Sequence, residues 1–110
     1  MLNDNLISPA GAEFLASANE LPQLLTLNLF RNEIGDGGAQ AFANSQSFPK
    51  LESLYLGQNS IADQGAIALI ESQNFPQLKV LDLAMNLLSE ATAMAAFKVN
   101  RKEKVQIIYR

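Results

Sequence analysis

The stretch Leu51-Glu52-Ser53-Leu54-Tyr55-Leu56-Gly57-Gln58-Asn59-Ser60-Ile61 decides the fold of this chain. Leu54 and Leu56 alternate with Tyr55, the period of a strand with one face turned inward. The same wording stands on either side of it. Leu24-x-x-Leu27-x-Leu29-x-x-Asn32-x-Ile34 precedes it and Leu78-x-x-Leu81-x-Leu83-x-x-Asn86-x-Leu88 follows, each displaced by 27 residues without a gap. Other columns keep the step: Leu21, Phe48 and Phe75; Pro22, Pro49 and Pro76; Gly11, Gly38 and Gly65; Ala12, Ala39, Ala66 and Ala93. Self-similarity at such a step is the mark of a solenoid, because one unit cannot bury its own apolar face and stacked neighbours supply the core.

Each unit has two halves. The leucine half predicts strands at 25–29, 52–56 and 79–83, with 106–109 as a closing strand, all in one parallel sheet. After each asparagine the period changes to three or four. The Ala-rich segments 36–46, 63–72 and 90–98 predict helices, with Asp36, Asp63 and Ser89 at their N-caps or first turns. The Phe-Pro pairs at 48–49 and 75–76 are expected to end each helix section and hand over to the next strand.

These segments resemble leucine-rich repeats. The step of 27 with a helical second half is similar to the ribonuclease-inhibitor-like subclass, which includes activators of the small GTPase Ran. The wording Asn59-Ser60-Ile61-Ala62-Asp63-Gln64-Gly65-Ala66 resembles bacterial members of it. The resemblance covers nearly the whole chain. It implies an α/β leucine-rich repeat solenoid, a right-handed βα superhelix with a curved parallel sheet inside and helices outside. It also implies that Asn5, Asn32, Asn59 and Asn86 form a buried ladder bonded to the turn after each strand, a task suited to an amide that both donates and accepts.

Residues 1–110 read as one domain with unequal ends. Leu2 aligns with Leu29 and Asn5 with Asn32, so the chain enters inside a partial first repeat, and upstream repeats of a longer protein are expected. Five of the eight basic residues fall at positions 98–110, which reads as a C-terminal cap. Self-association is expected through the uncapped N-terminal edge and not through the capped end.

The composition narrows the function. Hydrophobic residues make up 48%, enough for a core, and the net charge of -3 argues against nucleic acid as a partner. No cysteine or histidine is present, which removes the thiolate as nucleophile or metal ligand, the commonest general base and the commonest metal ligand. Gly35, Gly37 and Gly38 lack phosphate-loop spacing. The acidic residues Glu33, Asp36, Glu52, Asp63, Glu71, Asp82 and Glu90 are scattered singly, without the clustering that a metal or an acid–base pair needs. No catalytic residue, metal or cofactor is therefore expected. No signal peptide or membrane span is legible, and location stays open between cytoplasm and secretion as an effector.

The concave face is the informative surface. Between the core leucines the expected outward columns are Thr26, Ser53, Val80 and Ile107, then Asn28, Tyr55, Asp82 and Tyr109, flanked by Phe30, Arg31, Gln58 and Met85. Aromatic residues, Met and Arg are enriched where proteins bind proteins. Ordinary surface variation would also place some of them there. The reading is a protein-recognition module whose candidate contact residues are Asn28, Phe30, Arg31, Tyr55, Gln58, Val80, Asp82, Met85 and Tyr109. The alternatives are a GTPase regulator, by the Ran-activator likeness, and a structural spacer in a larger bacterial effector.

Overall fold

The computed structural model describes residues 7–17, 23–103 and 105–109. Helices and strands alternate along the chain: α1 (Pro9–Ala16), β1 (Thr26–Asn28), α2 (Gly35–Asn44), β2 (Ser53–Tyr55), α3 (Asp63–Glu71), β3 (Val80–Asp82), α4 (Glu90–Glu103) and β4 (Gln106–Ile108). The strands form one parallel sheet in the order β1-β2-β3-β4. The expected solenoid is therefore the observed fold, with three-residue strands lying inside the four- and five-residue windows read from the pattern.

Register follows the 27-residue step. Leu27 pairs with Leu54, and Leu54 with Leu81. These leucines, with Leu29, Leu56 and Leu83 on the same side, are buried. A second apolar spine runs between the layers: the rings of Phe48 and Phe75 stack at 6.4 Å between centroids, and Phe42 tilts onto Phe48 at 6.0 Å. The Phe-Pro pairs do not themselves end the helices. Both α2 and α3 stop several residues earlier, and the phenylalanines serve as core.

The helices meet at small residues. A Cβ on Gly38 would lie 2.9 Å from that of Ala12, and one on Gly65 would lie 2.9 Å from that of Ala39. Only glycine leaves room for so close an approach. In the third joint Thr92 takes the glycine column and is fully buried.

Three further features depart from the sequence reading. Helix α1 was not foreseen. Ser8 caps it, its Oγ accepting from the Gly11 amide at 3.2 Å, and Pro9 opens the first turn, where a missing N–H costs nothing. Helix α4 continues through Asn100–Glu103, beyond the expected end at Lys98. No Phe-Pro follows there, and Arg, Lys and Glu sustain a helix. The last strand is also shifted by one residue. Leu81 pairs with Ile107, a step of 26, where the extrapolated register pairs it with Ile108. Because side chains alternate, that slip exchanges the two faces of the strand. Ile107 is buried in the core, and Gln106 and Ile108 take the outward positions.

Candidate functional site

The concave face rises from the turn that ends each strand. Asn59 is fully buried. Its Nδ2 donates to the carbonyls of Leu29 at 2.8 Å, Leu56 at 3.1 Å and Gly57 at 3.1 Å, and its Oδ1 accepts from the Ile34 amide at 3.3 Å. Asn86 repeats the pattern, donating to Leu56 and Leu83 and accepting from the amides of Asn59 at 2.8 Å and Ile61 at 3.0 Å. Asn32 donates to Leu29 and accepts from Ile7 at 3.1 Å. The ladder thus bonds each turn to its neighbour; Asn5 lies outside the described residues.

To reach these asparagines the backbone passes through the left-handed region one residue earlier. Arg31 has φ 58°, Gln58 has φ 54° and Met85 has φ 59°. Glycine would adopt this conformation at least cost, yet three large side chains stand there, all exposed. Met85 is 63% exposed. Arg31, Gln58 and Met85 therefore form a row along the rim of the sheet, one per repeat. The sequence signal was the shared step; nothing in the residue types announced a positive φ.

On the sheet itself the outward positions are Thr26, Ser53, Val80 and Gln106 in one column and Asn28, Tyr55, Asp82 and Ile108 in the next. Two of the candidate contact residues also serve the fold. Asn28 Oδ1 accepts from the Phe30 amide at 3.0 Å, and Asp82 Oδ1 accepts from the Ala84 amide at 2.9 Å. These are side-chain turns that fix the exit of each strand. Tyr55 takes the same position in β2, half-buried between them. Phe30 lies over Gly57, where a Cβ would come within 2.8 Å of the ring. Tyr109 requires correction. With the last strand shifted it leaves the outward column, packs against the core, and lines the far end of the stack with Leu88 and Ala93.

The helical side carries a second ladder, formed by residues assigned from sequence to their own helix starts. Asp36 sits in the first turn of α2, yet its Oδ1 accepts from the amides of Ala62 and Gly65, both at 2.9 Å, and so caps α3. Asp63 does the same for α4, accepting from the Ser89 amide at 3.0 Å and from the hydroxyls of Ser89 and Thr92. Those bonds, the Ser89 hydroxyl foremost and then that of Thr92, pull the Asp63 carboxyl down from 3.8 to about 2. A carboxylate at a helix N-terminus also meets the positive end of the helix dipole. At the other helix ends Ser45 Oγ donates to Ala16 O at 2.5 Å and Ser72 Oγ to Ala43 O at 2.6 Å. These polar groups are occupied in joining repeats.

A family model described as Leucine Rich repeat matches residues 21–43 and 49–69. A comparison with curated proteins gave no match. The two matched segments coincide with the first two leucine-rich units read from the sequence. Such repeats are typical of non-enzymatic scaffolds for protein–protein interaction.

Proposed function

With leucine-rich repeats as the premise, we propose that this chain recognises a partner protein on its concave face, as part of a longer repeat protein. The observation that supports the reading is the rim. Arg31, Gln58 and Met85 occupy a backbone conformation that glycine would fill at lower cost, and each offers a large exposed side chain beside the sheet. Tyr55 stands on the same surface, paired with Asp82, the charged group of the outward columns; Val80 lies on that same neighbouring strand and Ile108 on the strand beyond. Large aromatic and apolar groups ringed by polar ones are the composition of a binding hot spot. The ribonuclease-inhibitor-like character and a bacterial origin belong to this reading as well.

Site-specific photo-crosslinking tests it. A crosslinking residue at position 55, 58 or 85 should trap the same partner, and one at the exposed helix position Gln64 or Glu71 should not. Equal trapping from both sets would reject the concave face as the site.

A further inference from the structure

We infer that the partner of the concave face presents an extended segment in which a large apolar side chain seats on Met85 and Leu87, with a Lys or Arg beside it. The inference rests on the recognition reading and gives that partner a chemistry. Single exposed apolar side chains are ordinary on a protein surface. Here they form a strip. Met85 and Leu87 stand either side of the ladder residue Asn86, 63% and 69% exposed. Ala84 precedes them, half-buried. A Cβ on Gly57 would come 3.2 Å from the Ala84 carbonyl oxygen and 2.8 Å from the Phe30 ring, so Phe30, Gly57 and Ala84 are neighbours across three successive turns. Gly57 has no left-handed backbone; its missing side chain makes room for the ring. Neighbouring strands lie about 5 Å apart, so the strip runs about 10 Å, the reach of about three extended residues.

The fold does not ask for apolar groups at these positions. The column of Met85 holds Arg31 and Gln58, that of Leu87 holds Glu33 and Ser60, and all six residues are exposed. The exposure therefore belongs to the repeat: it recurs in the second unit, whose strand β2 has a neighbour on either side. The turn carbonyls are already occupied. Gly57 O accepts from the Arg31 amide at 3.0 Å and from Asn59 Nδ2, and Ala84 O from the Gln58 amide at 2.9 Å and from Asn86 Nδ2. A carbonyl oxygen has two lone pairs, so recognition along the strip falls to side chains.

Charge sets the partner's second feature. Asp82 joins the strip directly, its Oδ1 accepting from the Ala84 amide. Asp63 stands beside Leu87: the adjacent Ala62 bridges to Leu87, and the Asp63 carboxylate accepts from the Ser89 amide. The hydroxyls of Ser89 and Thr92 hold that carboxylate ionised, its pKa lowered to about 2. Residues 51–97 hold the acidic Glu52, Asp63, Glu71, Asp82 and Glu90 against one basic residue, Lys79. Lys79 precedes β3, whereas the strip follows it, and its Nζ lies 3.6 Å from Glu52. The Met85–Leu87 end of the strip is therefore apolar with carboxylates beside it, while Arg31 and Glu33 belong to the Phe30 end. A cationic residue next to the partner's apolar one is attracted by Asp82 and Asp63, and an acidic one is repelled.

Short random peptides displayed on phage and selected against the 110-residue chain test the inference. Enriched sequences should pair a large apolar residue with an adjacent Lys or Arg. Fluorescence anisotropy with an enriched peptide should then give binding about tenfold or more weaker for Met85→Ser and for Leu87→Ser. Both side chains are exposed, and circular dichroism would verify that each variant is folded. Asp82→Asn is the sharper probe. Asn28 makes the same turn bond from the same column, so the change removes charge and keeps the turn. It should weaken binding several-fold and flatten its salt dependence. Replacing the peptide's basic residue by Gln should abolish the difference between the variant and the wild type. Enriched peptides that lack the apolar–basic pair, or affinity indifferent to Met85, Leu87 and Asp82, would overturn the inference, as would the absence of any enrichment. Indifferent peptides that still lose affinity with Tyr55→Ala would leave the concave-face reading standing. Loss only with Glu71→Ala, on the helical side, would remove both.

Discussion

Replacing Asn59 by Ala tests the ladder, and the structure sets the size of the effect. The change removes three donated bonds and one accepted bond from a fully buried site. The losses are unequal. Leu29 O retains the amide of Asn32, Leu56 O retains that of Asn86, and Gly57 O retains the Arg31 N–H. The Ile34 amide loses the Asn59 acceptor, at a buried position. One buried donor left without its acceptor costs about 1–3 kcal/mol, and each weakened bond adds a fraction of that. The sum is about 2–4 kcal/mol, read as a lower urea midpoint at constant slope. Asn59→Asp sharpens the test. Aspartate can still accept from Ile34, but it has no amide to donate and turns oxygen toward three carbonyls. It should therefore be the more damaging of the two at neutral pH. A midpoint unchanged by Ala, or Asp better tolerated than Ala, would refute the bonding described.

Asp63→Asn should weaken the acid dependence of stability. Its folded pKa, about 2, lies below the ordinary 3.8, so its contribution is full above that ordinary value and is lost as pH falls from about 4 toward 2. Urea melts at neutral and acid pH should show the wild type losing more than the variant on acidification. Gly65→Ala should destabilise by about 1–3 kcal/mol through overpacking, since the new Cβ would meet Ala39 and the Asp36 carboxylate; thermal melting would show it. Gln58→Gly should hold or raise the melting temperature, while Gln58→Val should lower it by the equivalent of about 1–2 kcal/mol, because φ 54° suits glycine and penalises a β-branched residue.

Most of the fold was legible because its determinants repeat. Leu54 to Leu56 needs alternation, Asn59 needs a turn, and Ala66 needs a close neighbour, so each requirement recurs every 27 residues in residue type. What escaped the reading depends on neighbours or on local exceptions. Asp36 and Asp63 read as caps of their own helices, because sequence proximity says nothing about reach into the next repeat. Tyr109 was placed by extending the step across a segment that has no Phe-Pro turn and takes one residue fewer. The candidate face was partly legible: outward positions follow from alternation, but the turn bonds of Asn28 and Asp82 and the left-handed backbone of Arg31, Gln58 and Met85 do not.

The most direct test of the recognition reading is a binding titration with the protein trapped from position 55. Tyr55→Ala and Gln58→Ala should each weaken binding about tenfold or more, the effect of losing a hot-spot side chain, while Glu71→Ala on the helical side should leave it unchanged. Equal affinity across all three variants would contradict the concave face as the recognition surface.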